Sequence, residues 1–238
     1  PIDGYVVPGW MPWRQLRHGC HPEGLFERLK SLPGFDAREL AMDSSMEGKA
    51  LEGCRSEDYA YWIDLHIRHD QQWLRVIREL MRSDPCELTA VVFDGVDKLQ
   101  HLFWRYLDPE LLPDEPSTED ALVRRMCLSY FRRLDEVIAE IVGLAGSDAT
   151  VILASDHGFG AQRGTFFVNE WLEEHGYLAW AADAAASAAA ATTEPDKLGI
   201  DQLARHVYLL DWSRTRAYAP TPSSNGIHIV LDGGRAGT

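Results

Sequence analysis

Two pairs of an acid with an imidazole carry the chemistry that this sequence could do: Asp97 with His101, and Asp156 with His157. Carboxylate and imidazole are hard-to-borderline ligands suited to zinc, manganese or iron. In the first pair the spacing Asp-x-x-x-His places both groups on one face of a helix, a single turn apart, so the two can chelate one ion. In the second pair the residues are adjacent, and adjacent side chains on a regular strand point to opposite faces. For both to reach one ion the chain must leave strand geometry, which Gly158 and Gly160 permit. Each pair also has a plainer account. Asp97 and His101 have the spacing of a surface ion pair, and Asp156 could cap a following segment beside a partly buried His157. Spacing alone leaves both accounts standing.

The elements that would position these residues are legible around them. Val151-Ile152-Leu153-Ala154 runs without alternation, as expected of a strand covered on both faces, and leads into Ser155-Asp156-His157-Gly158-Phe159-Gly160. Leu88-Thr89-Ala90-Val91-Val92-Phe93 reads as a second buried strand, with Asp94, Asp97 and His101 following it. Between them, Ser117 and the acids Glu119 and Asp120 open a helix whose apolar stripe (Leu122, Val123, Met126, Tyr130, Phe131, Leu134, Val137, Ile138, Ile141) runs to Gly143. Strand, helix, strand is a crossover unit, so the two strands are expected to be parallel, with their acid and histidine ends on one edge. Ligands collect at that edge in open α/β sheets. Leu102, Phe103, Trp104 and Tyr106 form an apolar mass expected to be core with a pocket wall, and Arg105 reads as a surface charge.

Residues 1–55 are punctuated by Pro8-Gly9, Pro12, Pro22 and Pro33-Gly34 and read as an irregular, peripheral or lid-like region, with a modest helix from Glu23 to Leu32. Trp10, Trp13 and Arg14 are expected to pack at the surface there. Ser56 and the acids after it open a helix from about Glu57 to Arg82, in which His66, His69 and Asp70 are expected on a solvated face. His175 before Gly176 reads as a helix-terminal charge. From Ala179 to Thr193 the chain is almost all alanine, so 179–197 is expected to be an insertion or mobile surface segment. Asp211–Ala219 and Gly226–Leu231 are further strands, and His228 reads as an ordinary strand histidine.

At 238 residues, with 45% hydrophobic and 25% charged residues, the composition is that of a globular protein with ample core. The formal net charge of -14 argues against a nucleic-acid duplex as partner, since phosphate neutralisation needs a basic footprint. It leaves a small phosphorylated substrate open, because a bound metal reverses the local field. Cys20, Cys54, Cys86 and Cys127 are widely spaced, which favours reduced thiols. No apolar run is long enough to span a membrane, and the compartment expected is the cytoplasm. The chain opens at Pro1 and stops at Thr238 in a Gly-rich turn, so both ends are expected to be cut.

Asp97-x-x-x-His101 followed some fifty residues on by Ser155-Asp156-His157-Gly158 resembles the alkaline phosphatase superfamily, in particular its type I phosphodiesterase/nucleotide pyrophosphatase branch. The resemblance also takes in Asn169-x-Trp171-Leu172, Gly176-Tyr177-Leu178, Ala217-Tyr218-Ala219 and Gly226-Ile227-His228-Ile229. It implies an α/β fold: a mixed, mostly parallel sheet sandwiched by helices, here one domain over 1–238, incomplete at both ends. It also implies two divalent metal ions, zinc before manganese, at the carboxyl edge. Asp156 and His157 would hold the ion that activates the nucleophile, and Asp97 and His101 the ion facing the leaving group. Paired cations can clamp both apical oxygens of an in-line displacement at phosphorus.

The family's early Asp ligand and its Ser or Thr nucleophile have no counterpart in residues 1–55, and its third His for the leaving-group ion falls after the end of the chain. The ligand role is not carried onto His228. The expected activity is therefore metal-dependent phosphoric ester hydrolysis through a nucleophile outside this chain. A noncatalytic binding module built on the same metal edge, and a phosphotransferase or mutase, are the alternatives. The oligomeric state is not legible.

Overall fold

A computed structural model describes residues 2–9, 11–41, 54–164, 166–181, 207, 209–221, 226–231 and 235–236. The chain gathers into two compact units, Pro1–Ala161 and Gln162–Thr238, each described by itself.

The first unit is built on three helices. Helix α4 (Tyr59–Ser83) follows a single 3-10 turn at Ser56–Asp58, helix α5 covers Gly95–Leu107, and helix α6 covers Thr118–Ala145. Helices α4 and α6 are those expected from the apolar periodicity, and α5 is the helix that the Asp97–His101 spacing required. The start of α6 is fixed by a capping box: Ser117 Oγ accepts from the Asp120 N–H at 3.0 Å, and Asp120 Oδ2 accepts from the Ser117 N–H at 3.3 Å. Bonds to Ser117 and Arg105 hold the Asp120 carboxyl below the usual carboxylate range.

Helix α6 packs chiefly on α4 and then on α5. The shared core holds Trp62 and Ile63 from α4, Leu99, Phe103 and Tyr106 from α5, and Val123, Cys127, Tyr130 and Leu134 from α6. Phe103 is fully buried and meets the Tyr59 ring edge-on at 4.9 Å. Removing such a ring costs about 3–5 kcal/mol, so α5 is firmly seated. Its last turn is tied down as well. Arg124 donates to the carbonyls of Tyr106 and Leu107, and Arg105 pairs with Asp120 at 2.9 Å while lying over the Tyr106 ring. Arg105, 66% exposed, is the surface charge expected of it.

Short helices α1 (Leu16–Gly19), α2 (Leu25–Lys30) and α3 (Ala37–Leu40) precede this trio. Leu16, Leu25, Leu29, Leu40 and Ala41 form a second core with Val76 of α4. The region expected to be irregular thus has its own packed interior. Trp13 is partly exposed between the guanidinium groups of Arg14 and Arg38, while Trp10 lies outside the described residues. No disulfide joins the four cysteines.

The two strands expected to flank the crossover do not pair. Residues 88–93 and 151–154 are extended but without a ladder, and Leu88, Val92, Ile152 and Leu153 are 82%, 72%, 81% and 75% exposed. The expected parallel sheet sandwiched by helices is not formed among the described residues. A crossover supplies only two strands, and two strands alone leave most backbone donors and acceptors unpaired, which is marginal in water.

In the second unit, helix α7 (Val168–Glu174) packs Leu172 against Leu178, Leu210 and Tyr218. The sheet is antiparallel: β1 (Ala217–Tyr218) pairs with β2 (His228–Leu231), which pairs with β3 (Arg235–Ala236). Asn169 grips the chain beside β1, its Nδ2 donating to the Ala219 carbonyl at 3.0 Å and its Oδ1 accepting from the Ala219 N–H at 2.8 Å. His175 Nδ1 lies 2.8 Å from the Trp171 carbonyl and stacks on that ring, as expected of a helix-terminal residue before Gly176. His228 is an exposed strand residue stacked on Tyr218. Residues 182–197 of the alanine-rich segment lie outside the described residues.

One expectation for α4 is overturned. His66 and Asp70 do not face solvent; they are 5% and 3% exposed, turned toward α6, because their i, i+4 spacing follows Trp62 and Ile63 onto the buried stripe. Burial lowers the His66 imidazole to about 3, helped by His69 and Lys98, and raises the Asp70 carboxyl to about 7, offset by Tyr130 and reinforced by Asp94. These shifts act on stability in opposite directions. Between about pH 3 and 6.5 the unfolded chain holds the His66 proton that the folded chain lacks, so stability rises with pH. Between about pH 3.8 and 7 the folded chain holds the Asp70 proton that the unfolded chain lacks, so stability falls with pH. Removing one group should unmask the other. Chemical denaturation at a series of pH values is expected to show Asp70→Asn gaining stability from pH 3 to 6.5 and His66→Gln losing it from pH 4 to 7. Each trend should be on the order of 2–4 kcal/mol; parallel curves for the two variants would contradict this assignment.

Candidate metal centre

Helix α5 begins at Gly95, which places Asp97 in its first turn and His101 one turn further on. An acid is favoured there because the first-turn N–H groups lack helical partners and the helix dipole is positive at that end. Asp97 Oδ1 lies 3.4 Å from His101 Nε2, as the spacing predicts. The loop after residue 154 then brings His157 to the same oxygen, its Nε2 at 3.7 Å from Asp97 Oδ1. Asp156 Oδ2 is 3.8 Å from His157 Nε2 and is open to solvent. All four residues singled out in the sequence therefore converge, although the strands expected to bring them together do not form a sheet.

Charge and hydrogen bonding define this cluster further. Asp97 Oδ1 is buried and has no hydrogen-bond partner, an arrangement that costs free energy unless positive charge faces it. His157 Nδ1 is held 2.9 Å from the Gly158 carbonyl, and that carbonyl, then Asp156 and Asp97, raise the imidazole above its ordinary value. With Nδ1 engaged by a carbonyl, Nε2 is the ring nitrogen that faces Asp97, and a metal-bound histidine likewise offers one nitrogen while the other is held by an acceptor. Ser155 Oγ donates to the His157 carbonyl at 2.5 Å, closing the turn.

The donor types, carboxylate and imidazole, are ones that divalent ions take. Tetrahedral nitrogen and oxygen ligands at 2.0–2.1 Å from zinc stand about 3.4 Å from one another, close to the 3.4, 3.7 and 3.8 Å separations here. These distances link the residues pair by pair, in the order His101, Asp97, His157, Asp156. Among the described residues no three His, Cys, Asp or Glu side chains form a group that could hold an ion as they stand.

Phe159 is the residue that sequence reasoning missed. Its ring meets His101 edge-on at 4.9 Å, lies 5.6 Å from Trp104 and 5.9 Å from His157. An aromatic side chain between Gly158 and Gly160 was the available signal. Trp104 forms a wall against this ring, whereas Phe103 and Tyr106 are core. His69 takes no part in the cluster. The Trp73 indole N–H donates to His69 Nε2 at 3.0 Å, which leaves the proton on Nδ1, 2.9 Å from the Glu39 carbonyl.

No described helix is long and apolar enough to cross a membrane. No curated protein and no solved structure matches the chain. Residues 21–230, most of the sequence and all four cluster residues, match the family described as type I phosphodiesterase / nucleotide pyrophosphatase. That family has an α/β fold and acts on phosphorylated substrates. By this match the chain belongs to the type I phosphodiesterase / nucleotide pyrophosphatase family, within the alkaline phosphatase superfamily.

Proposed function

We propose that the chain carries the two metal half-sites of a metal-dependent phosphoric ester hydrolase of the phosphodiesterase or nucleotide pyrophosphatase type. The observation that supports this most is the convergence of two histidines on the buried, unbonded Oδ1 of Asp97, in a chain whose family hydrolyses phosphoric esters. Asp97 and His101 form one half-site, Asp156 and His157 the other. Bound there, two divalent cations, zinc before manganese, would stabilise the attacking and leaving oxygens of a displacement at phosphorus. The chain's own contribution is orientation. Helix α5 fixes Asp97 and His101, the Gly158 carbonyl holds the Nδ1 proton of His157, and Phe159 keeps the loop on α5. Ser155, the hydroxyl nearest in sequence, is not the nucleophile of this reading, because its proton is committed to the His157 carbonyl.

The same reading completes the fold. Segments 88–93 and 151–154 are the strands that the family's mixed, mostly parallel sheet would draw on. Their exposed valine, isoleucine and leucine side chains are the faces that flanking helices would cover.

Three measurements follow. In the intact protein, chelation should abolish phosphodiesterase activity, and Asp156→Ala and His101→Ala should each lower bound metal by about tenfold or more in affinity; unchanged metal content and turnover in both variants would remove the site. The 238-residue chain alone should bind zinc weakly and turn over little, so robust hydrolysis by it would contradict the half-site description. Phe159→Ala should loosen the hold of the loop and weaken metal binding by roughly tenfold with the helical circular dichroism intact; wild-type affinity would show that the ring is incidental.

A further inference from the structure

Buried polar atoms without protein hydrogen-bond partners are concentrated where α4 and α6 meet behind the start of α5. They include both carboxyl oxygens of Asp70, both ring nitrogens of His66, the Trp62 indole nitrogen and the Tyr130 hydroxyl. Tyr130 has no exposed surface and Asp70 is 3% exposed. The two interact across the helix interface without the close geometry of a full hydrogen bond. A buried hydroxyl that could have been a phenylalanine carries a cost, which asks what the oxygen is for.

Its other neighbour is Gly95. A Cβ built on Gly95 would stand 2.3 Å from the Tyr130 hydroxyl oxygen, 2.9 Å from its Cζ and 3.2 Å from its Cε2. Gly95 is the first residue of α5 and is itself buried. A glycine at a helix start is ordinarily only permissive, but here a methyl group would force either the ring or the helix to move. Asp97 is two residues on, in the same turn. The far end of α5 is independently tied to α6 through Arg124 and the Arg105–Asp120 pair. A displacement at Gly95 would therefore be taken up where Asp97 sits, and not by a slide of the whole helix.

We propose that Tyr130, backed by Asp70, is a positioning residue that seats the first turn of α5 against α6, and that Gly95 is the complementary notch that lets Asp97 meet His157. This rests on the half-site reading given above. Tyr130 touches neither imidazole in the cluster; it acts through the backbone of α5. Ligand placement within about 0.5 Å is what separates a working site from a loose one, and a methyl group at Gly95 demands more than that.

The test uses the intact protein, with zinc and manganese as probes. Gly95→Ala is expected to weaken zinc binding about tenfold, as loss of outer support for a metal ligand does, and Tyr130→Phe in the same chain should restore part of it, because it removes the 2.3 Å contact with the oxygen and leaves the lesser one of 2.9 Å with the ring Cζ. A role in stability alone would lower the melting temperature without this reciprocal change in affinity per folded molecule. Wild-type affinity in folded Gly95→Ala, or no recovery in the double variant, would overturn the proposal. If Gly95→Ala does not fold, Tyr130→Phe alone decides: amide exchange at Lys98, whose N–H closes the first turn of α5 on the Asp94 carbonyl, should quicken while the rest of α5 stays protected, and unchanged exchange there would sink the idea. Absence of zinc and manganese binding in the unmutated protein would defeat the half-site reading, and the exchange measurement would still report whether Tyr130 seats α5.

Discussion

A buried carboxylate oxygen that no hydrogen bond satisfies is the constraint on which the first unit depends. Asp97 Oδ1 is sequestered in the first turn of α5, and no protein donor reaches it. A shielded carboxylate oxygen without a hydrogen bond carries part of the cost of desolvation, although the Asp97 side chain as a whole stays 39% exposed. The helix dipole contributes less than about 1 kcal/mol at such a position, so it does not settle the account. Two imidazoles on separate elements face the oxygen instead, and a divalent cation between such groups would satisfy acid and imidazoles together. The site is thus a place where the fold accepts a local cost that chemistry can offset.

Meeting that constraint requires the ligand-bearing helix to stay where it is. Helix α5 is short, and a 13-residue helix is marginal alone. It is held by its buried stripe of Leu99, Phe103 and Tyr106, by Arg124 on its last carbonyls and by the close approach of Tyr130 to Gly95. Helix α4 is in turn fixed from both sides. The small N-terminal core packs on Val76, Arg28 pairs with Glu79, and Arg78 forms a two-pronged pair with Glu140 of α6 at 2.6 and 2.8 Å. Side chains placed on packed helices are held more precisely than side chains on loops. Asp97 and His101 have that support, whereas Asp156 and His157 rely on a turn and on one aromatic ring.

The sequence made the helices and the ligand pairs legible for the same reason: both are written in local spacing. An apolar stripe of period 3.6 specified α4 and α6, Ser117 with Asp120 marked the start of α6, and Asp-x-x-x-His put an acid and an imidazole on one face of α5. What local spacing does not encode is the partner. Residues 88–93 and 151–154 have strand composition, but a strand exists only when another chain segment accepts its hydrogen bonds. His66 and Asp70 were assigned to solvent because polar residues usually face it; their burial follows from tertiary packing of the helix face they share with Trp62. Phe159 matters through its contacts with His101, Trp104 and His157, and Gly95 through its closeness to Tyr130, and contacts of this kind leave no periodic trace.

The unpaired strands also say what organises the site. In an open α/β sheet the ligand residues meet because parallel strands end on one edge. Here Asp97 and His157 come within 3.7 Å without any ladder between the segments that precede them. The contact that joins the two half-sites is therefore between helix α5 and the loop bearing Asp156 and His157, through Phe159 against His101 and Trp104. A sheet would hold this arrangement rigidly and turn pairs into closed cages, but the meeting of the residues is already specified by side-chain packing. Local geometry and the fold expected of the family then favour the same placement of ligands, and agreement between levels of this kind is what lets one sequence settle on one structure.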